Sequence, residues 1–463
     1  MAELLARQCA KSTGMLAPAR LLIFIVWIGL VPALGSAEVI RHTTPAGRVF
    51  HYVEMPVADR TAIVVDWKSA WAHGAEHPTT AHIGAILMAI GGAGGKLEEL
   101  IGQLNTAGTH AELNATADGA RGLLVARDGQ LEEAAALARV RLADPRLDAA
   151  SFKSIRAELS RAVRANKPSA EALVWDAARA LLLGDAPLND FLRLPVHDIE
   201  RATLSEVRAW RDAVFAQANA TVAAAGVAPA ADVAVAVDTL LERLPEFPAG
   251  EPADAPQPAY EGRTVLIVAP DAESSAIGVF GPLLSTGELG GVLNVLAFEA
   301  LDRRLARGLR REFGDAHDIS ARSANFARNV RLLAIGGEVT AADLEGVLEV
   351  TRKSYVRFRA RGPTPREAAK GASHAARMFE GVQEVPEAVA QIVVELVLDG
   401  ELAAVADDLP GRLRGVEPRT LKAHVKHAFP AWDDMLRIVV APNAEAAPAD
   451  CVIDTFDPLE TCR

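Results

Sequence analysis

The sequence has 463 residues, of which 50% are hydrophobic and 23% are charged, and its formal net charge is −12. This length is enough for about two to four domains with a sizeable core. The sequence contains no run of lysine and arginine and no basic–aromatic stripe, so nothing in it indicates binding to nucleic acid or phosphate.

The N-terminal segment, residues 1–37, is predicted to be a secretory signal. Three basic residues precede the uncharged run LLIFIVWIGLVPAL, which is too short for a comfortable membrane span of about 20 residues. Small residues at Gly35 and Ala37 then suit a cleavage site. We therefore expect an exported protein, periplasmic or secreted, with no membrane contact after cleavage. An uncleaved anchor is the alternative, and Met15 is an alternative start.

The first half of the mature chain alternates between strand-like and helix-like segments. RVFHYVEM and TAIVVDW are rich in β-branched and aromatic residues, which predicts strands. TTAHIGAILMAI follows as a helix that ends at Gly91, and GKLEELIGQLNTAG is predicted to be a second helix. AELNATADG and ARGLLVARDG are again strand-like, and amphipathic helical segments follow up to the apolar strand ATVAAAG.

A proline-rich stretch divides the mature chain. Residues 246–262 have the composition of a stiff, extended linker. We therefore predict an N-terminal half at 38–245, a C-terminal half at 263–447 and a tail at 448–463.

The two predicted halves contain similar segments. Residues 202–229 align with residues 416–443, since both are an amphipathic helix, a polar break and an apolar strand. Residues 167–186 align with residues 385–403 at nearly the same offset. Two independent matches predict an internal repeat of two homologous α+β halves.

These features together resemble the insulinase/pitrilysin metallopeptidase family. The resemblance spans the mature chain, is carried by AHIGAILMAIGGAGG and the segments after it, and is greatest to bacterial two-half members. It implies an α+β fold in which each half is an antiparallel-rich sheet packed with helices. Active members carry H-x-x-E-H on the first helix, where two histidines and a distant glutamate bind zinc and the motif glutamate polarises water.

The motif is degenerate in this sequence. His82 matches the first ligand, but Ala85 stands at the position of the base and Ile86 at that of the second histidine. Glu158 falls at the expected place of the distant glutamate. The resemblance therefore implies a non-catalytic member without a cofactor, in which His82 and Glu158 are remnants of the zinc site.

Two other kinds of site have to be weighed near this helix, a zinc site and a phosphate-binding loop. His73, His77 and His82 are close in sequence, but Gly74 and Pro78 prevent a helical ligand spacing, so a zinc site there would have to be built on a loop. GGAGGK lacks the spacing and the Lys-Ser/Thr ending of a phosphate-binding loop, which favours a helix end followed by a turn.

The resemblance also points to substrate-binding residues in the second half. Active members use an arginine and a tyrosine there to hold the peptide backbone and the developing oxyanion. In the stretch LRREFGDAHDI, Arg310 matches the arginine and His317 takes the place of the tyrosine. The alternative for both is the solvated basic end of a helix.

Two cysteines lie in the predicted tail. In an exported protein, the pair Cys451 and Cys462 predicts one disulfide, with two free thiols as the alternative.

The sequence thus predicts an exported, zinc-free subunit of a two-chain peptidase, inactive alone, which contacts peptide and pairs with a zinc-bearing family partner chain. A structural or peptide-binding protein of the same fold with no peptidase partner is the alternative. A metallopeptidase active on its own is disfavoured by Ala85 and Ile86.

Overall fold

The computed structural model of the chain describes residues 38–69, 71–91, 109–143, 145, 147–248, 258–284, 289–315, 317–382, 384–402, 409–453 and 462. The predicted signal at 1–37, most of the predicted linker and the stretch that follows Gly91 up to residue 108 lie outside the described residues.

Twelve strands lie within this part of the chain. They are β1 (Val39–Thr43), β2 (Val49–Glu54), β3 (Arg60–Lys68), β4 (His110–Thr116), β5 (Gly119–Arg127), β6 (Ala220–Gly226), β7 (Thr264–Val268), β8 (Ser275–Pro282), β9 (Ser320–Ala327), β10 (Val330–Val339), β11 (Leu436–Ala441) and β12 (Cys451–Ile453).

The helices of the same part of the chain are α1 (Thr80–Gly91), α2 (Leu131–Ala143), α3 (Ala149–Ala165), α4 (Ala170–Leu183), α5 (Pro187–Arg193), α6 (Val196–Arg201), α7 (Leu204–Val214), α8 (Ala230–Leu241), α9 (Gly290–Phe313), α10 (Leu344–Arg361), α11 (Pro365–Val382), α12 (Pro386–Leu398), α13 (Leu409–Gly415) and α14 (Pro418–Ala428). Among the described residues, no helix is both long and apolar enough to cross a membrane.

The strands form two six-stranded sheets with the same core topology. The first has the order β1-β2-β6-β3-β5-β4 and the second the order β12-β7-β11-β8-β10-β9. In the first sheet β2 and β6 are parallel, and in the second sheet β7 is parallel to β11 and to the edge strand β12. All other neighbouring strands are antiparallel. The predicted α+β architecture of two halves, each with an antiparallel-rich sheet and helices, is confirmed.

The compact units do not coincide with the two sequence halves. Described residues within 1–165, 194–254 and 380–409 form the first unit, and those within 166–193, 255–379 and 410–463 form the second. Each unit therefore takes a helical segment from the other half of the chain. The predicted domain limits, as limits of the sequence repeat, stay predictions.

The helix that the first unit takes from the second half is α12. It packs on β6, β3 and β2. Its buried residues Ala390, Val393 and Val394 join a core cluster with Ala223 and Ala225 of β6. The small side chains of the ATVAAAG strand leave room for a helix to approach the sheet closely.

The helix that the second unit takes from the first half is α4, which packs on β8, β11 and β10. Gly278 of β8 makes this approach possible, because a β-carbon there would lie 2.2 Å from Cγ1 of Val174. Beside it, the rings of Trp175 and Phe280 meet edge to face with centroids 4.9 Å apart. The helices α4 and α12 lie in the two segments whose sequences align, so the exchange is reciprocal.

A disulfide joins Cys451 and Cys462, with Cα atoms 5.9 Å apart. Cys451 begins β12, which runs parallel to β7 at the edge of the second sheet. The bond therefore ties the end of the chain to this edge strand.

Candidate functional site

The degenerate motif lies on α1, as expected. His82 is on the first turn of α1 and its residue is 7% exposed. The start of the helix is held by Asp198, which accepts hydrogen bonds from the ring of His77 (Nδ1 to Oδ1, 2.8 Å) and from the backbone N–H of Thr79 (3.1 Å). A carboxylate at this end of a helix is favourable for the helix dipole. His82 is thus placed on a firmly anchored helix.

The position of the second histidine is part of an apolar core. Ile86 is 4% exposed and belongs to a cluster with Ile83 and Leu87 of α1 and with Phe152 and Ile155 of α3. These neighbours are hydrocarbon side chains, which cannot make the hydrogen bonds that an imidazole or a metal-bound water needs. Ala85, at the position of the base, is buried as well.

The distant glutamate position lies on the helix next to α1. Glu158 is on α3, which packs against α1, and its side chain is half-buried. The fold therefore brings the helices of His82 and Glu158 together. On α3, however, Ile155 and Leu159 belong to the apolar cluster of Ile86 and supply hydrocarbon side chains rather than a third ligand.

The histidines of the alternative loop site are engaged with different carboxylates. His77 pairs with Asp198, and the buried ring of His73 lies 3.9 Å from Asp118 (Nε2 to Oδ1). Burial lowers the pKa of His73, although the nearby Asp118 partly opposes this. Within the part of the chain that the structure describes, no three His, Cys, Asp or Glu side chains are grouped so that they could hold one metal ion.

The comparisons with known proteins concern the fold of the chain and one segment of its sequence. Residues 201–372 match the family described as "Peptidase M16 inactive domain". The peptidase M16 inactive domain from Pseudomonas fluorescens has a similar structure, with a TM-score of 0.77 and 16% identity over 89% of this chain and 100% of that one. A comparison with curated proteins finds no match.

The chain is M16-like in its fold, and residues 201–372 match the family itself. The resemblance to the insulinase/pitrilysin peptidases is thus confirmed.

Two further structures show how much of a complete relative the M16-like chain spans. The first half of the periplasmic protease PqqL from Escherichia coli matches with a TM-score of 0.70 and 14% identity over 90% of this chain and 94% of that one. The ferredoxin protease FusC, solved in complex with Arabidopsis ferredoxin, matches with a TM-score of 0.67 and 14% identity over 92% of this chain but 49% of that one. The M16-like chain therefore has about half the length of FusC.

Arg310 of the M16-like chain lies in the last turn of α9. Its side chain is 66% exposed, and its Nε donates a hydrogen bond of 2.7 Å to the exposed Asp315. A surface pair of this kind stabilises the fold little, so the guanidinium is free to exchange Asp315 for another acceptor. The geometry leaves Arg310 able to contact a peptide.

His317 has a different environment. Its side chain is 1% exposed, its Nε2 lies 2.9 Å from Oδ2 of Asp343, and its ring meets Phe313 edge to face. The hydrogen bonds from Thr340 and His317 lower the pKa of Asp343, so this carboxylate stays ionised. The pair fixes the segment after α9 to the start of α10. A buried, paired ring is typical of a structural histidine, and the role of His317 as a substrate contact stays a prediction.

Sequence reasoning missed two residues that fix the degenerate site. Trp210 of α7 packs directly on Gly84, since a β-carbon on this glycine would lie 2.4 Å from Cε3 of Trp210. Asp198 anchors the start of α1 from 119 residues further along the chain. Neither residue belongs to a local motif, so only the fold reveals them.

Proposed function

We propose that this M16-like chain is an exported, zinc-free subunit of a two-chain peptidase, in which a zinc-bearing family partner chain brings the metal and the reactive water. The observation that carries the proposal is the contrast at α1. The fold is kept over the whole described chain, while the base position is Ala85 and the second ligand position is the core residue Ile86. Such a chain is suited to form a wall of a substrate chamber but not to polarise water.

In two longer relatives, the part that resembles this chain makes up about half of the protein. Full-length PqqL and FusC are about twice as long, since this chain spans 49% of each. A second M16 half on a separate chain would give an assembly of the same size. The partner in this proposal is a chain with an intact H-x-x-E-H motif.

Arg310 is the residue that we propose to contact the peptide in the mixed enzyme. It is exposed and can exchange its partner, so its guanidinium can donate hydrogen bonds to the oxyanion that develops when the peptide carbonyl is attacked. Because His317 is buried against Asp343, we expect it to contribute less.

The experiment measures turnover of a quenched-fluorescence peptide library by the M16-like chain alone, by the partner alone and by the pair. We expect no turnover by the M16-like chain alone and higher turnover by the pair than by the partner. Arg310→Ala should lower the rate of the pair by about 10²–10³, the usual effect of losing one oxyanion donor. Arg366→Ala, an exposed arginine on α11, is the matched control.

Two results separate the parts of this proposal. If the pair with Arg310→Ala keeps full turnover, Arg310 is not a substrate contact, although the subunit role stands. If this chain does not raise the turnover of any chain that carries an intact H-x-x-E-H motif, the subunit role is wrong. The alternative function, a structural or peptide-binding protein of the same fold, then takes over, and it is the apolar packing at Ile86 that favours it.

Export is tested separately. The mature N-terminus of protein recovered from the periplasm or the medium, determined by intact mass, should lie near residue 38. A chain that keeps residues 1–37 in the membrane fraction would show instead that this segment is an anchor.

A further inference from the structure

A basic cleft of about 740 Å³ lies in the second unit. It is formed by α9, α10, the start of α14 and the turn between α10 and α11. Eight lysines and arginines line it, against two glutamates, Glu312 and Glu367. In a chain with a net charge of −12, this cleft reverses the sign of the charge locally.

The floor of the cleft is an ordered ion-pair network. Arg304 donates to both oxygens of Glu367 (3.0 and 2.6 Å) and to the carbonyl of Gly362 (2.7 Å), and its guanidinium lies over the ring of Phe358. Arg307 also pairs with Glu367. Burial alone would raise the pKa of Glu367, but the hydrogen bonds from Arg304, the Thr364 backbone and Arg307 lower it to about 2. One ionised carboxylate thus faces two guanidinium groups.

The rim of the cleft carries cations without a counter-ion. Arg311, Arg357, Arg361 and Lys422 are exposed, and within the described part of the chain none of them has a carboxylate within 4.0 Å. Like charges that share a cleft repel each other, and low-dielectric walls strengthen their field. This arrangement costs stability, so it calls for an explanation.

The helix dipole accounts for the positions of only some of the cations on the rim. Arg311 and Arg361 are in the last turns of α9 and α10, where a cation is favourable. Arg357 is a turn further back, and Lys422 is in the N-terminal half of α14, where the dipole disfavours a positive charge. Helix stability alone does not account for these two residues.

Two glycines bring the basic helices close together. A β-carbon on Gly308 of α9 would lie 3.0 Å from Oγ of Ser354 on α10, and one on Gly362 would lie 2.6 Å from Cγ of Lys422 on α14. Gly362 also has a φ of +68°, which favours glycine. The close approach of the three helices therefore concentrates their cations in one cleft.

We propose that this cleft binds an acidic peptide segment, that is, an extended polypeptide stretch with several aspartates or glutamates. A site for a single phosphate needs donors that converge on one point. Here the unpaired cations come from three helices and are spread along an open cleft, which suits a ligand with several separate carboxylates. The inference does not rest on the proposed function, because the segment can belong to a substrate or to any partner protein.

The test uses the full mature chain and fluorescence anisotropy of a labelled peptide in which glutamate alternates with alanine. The same peptide with glutamine in place of glutamate is the neutral probe. We expect the glutamate peptide to bind at least about tenfold more tightly, and its affinity to fall as sodium chloride is raised. Equal affinities for the two peptides would overturn the proposal.

Charge-reversal variants locate the binding. Arg357→Glu combined with Lys422→Glu should weaken the binding of the glutamate peptide by about tenfold or more. Lys370→Glu combined with Lys426→Glu changes the net charge equally at exposed lysines that do not line the cleft, and should change the affinity by less than about threefold. Equal losses in both double variants would show that net charge, not the cleft, attracts the peptide.

Two further arms complete the experiment. If the reversal variant does not fold, as judged by circular dichroism, Arg357→Gln with Lys422→Gln replaces it and should still weaken binding severalfold. Calorimetry with inorganic tripolyphosphate tests the other anion class. Binding of tripolyphosphate in a chain that does not bind the glutamate peptide would show that the cleft is a phosphate site and that the proposal is wrong.

Discussion

Trp210 lies so close to Gly84 that a β-carbon on this glycine would be 2.4 Å from Cε3 and 2.5 Å from Cζ3 of the indole. Trp210 is fully buried and also meets Phe215 edge to face, with ring centroids 5.3 Å apart. This contact packs α7 against Gly84, the central residue of the degenerate motif at 82–86. In this chain, the helix that carries catalytic groups in active relatives is therefore held by apolar packing on two sides.

The first prediction concerns this contact. Gly84→Ala should lower the free energy of unfolding by about 1–3 kcal/mol, because the added methyl overpacks a core and the buried indole has little room to move. This loss should exceed the gain of about 1 kcal/mol that alanine normally brings to a helix. Urea denaturation of the two proteins measures the difference.

A second helical glycine provides the matched control. Gly381 lies on α11, and a β-carbon there meets nothing within 4 Å. Gly381→Ala should therefore be neutral or stabilising by up to about 1 kcal/mol. If Gly84→Ala were as mild as Gly381→Ala, the packing of Trp210 would not be tight.

The second prediction restores one family ligand. Ile86→His should lower the free energy of unfolding by about 2–4 kcal/mol, because it places an imidazole without a hydrogen-bond partner in the cluster of Phe152, Ile155 and Leu159. The control Ile86→Val, which only removes a methylene group, should cost about 0.5–1.5 kcal/mol. A small loss for Ile86→His, with retained cooperativity in the melt, would mean that the site still tolerates a metal ligand.

The order of elements was predictable from the sequence because it depends on local patterns. Strand-like segments rich in β-branched and aromatic residues, such as TAIVVDW, and the two pairs of aligned segments led to two α+β halves, which the sheet topologies confirm. The exchange of α4 and α12 between the units could not be predicted. Both helices are apolar enough to pack on either sheet, and only tertiary features such as Gly278 facing Val174 determine which sheet each one covers.

The site was predictable where it depends on single positions of a motif. The sequence alone placed His82, Ala85 and Ile86 on one helix, and the structure adds that Ile86 lies in the core. The basic cleft was not predictable, because its cations are separated along three helices and never form a run. The burial of His317 against Asp343 was not predictable either, because the two residues are 26 positions apart in the sequence.

The third prediction concerns metal. Purified mature protein should hold far less than one zinc per chain after mild dialysis, because two protein ligands, His82 and Glu158, bind zinc weakly. Mass spectrometry of metal content is the measurement, with His82→Ala as the comparison. About one zinc per chain in the native protein, lost in His82→Ala, would contradict the zinc-free assignment.

The fourth prediction concerns the tail. Replacing both Cys451 and Cys462 by alanine should lower the free energy of unfolding by at most about 3 kcal/mol, the loop-entropy estimate for a short loop. Peptide mapping without reduction should find the two cysteines linked in the purified protein. Two thiols that react fully with an alkylating agent would count against the bond.

The fifth prediction follows from the pKa of Glu367. This pKa is about 2 in the folded chain, where Arg304, the Thr364 backbone and Arg307 outweigh the effect of burial, and about 4.3 in an unfolded chain. A folded-state pKa below the unfolded value stabilises the fold fully above about pH 5, and this contribution is lost as the pH falls towards 2. Glu367→Gln should therefore cost about 1–3 kcal/mol at pH 7. At pH 3 the cost should be clearly smaller.

Glu349 is the matched control for this pH dependence. Its pKa is also lowered to about 2, chiefly by the hydrogen bond from Arg352, but the pair lies on the solvent-exposed side of α10. Water screens such a pair, so Glu349→Gln should cost less than about 1 kcal/mol at either pH. Urea denaturation of the native chain and both variants at pH 7 and pH 3 gives all the values. If the cost of Glu367→Gln were the same at both pH values, the negative charge of Glu367 would not be what holds the floor of the basic cleft.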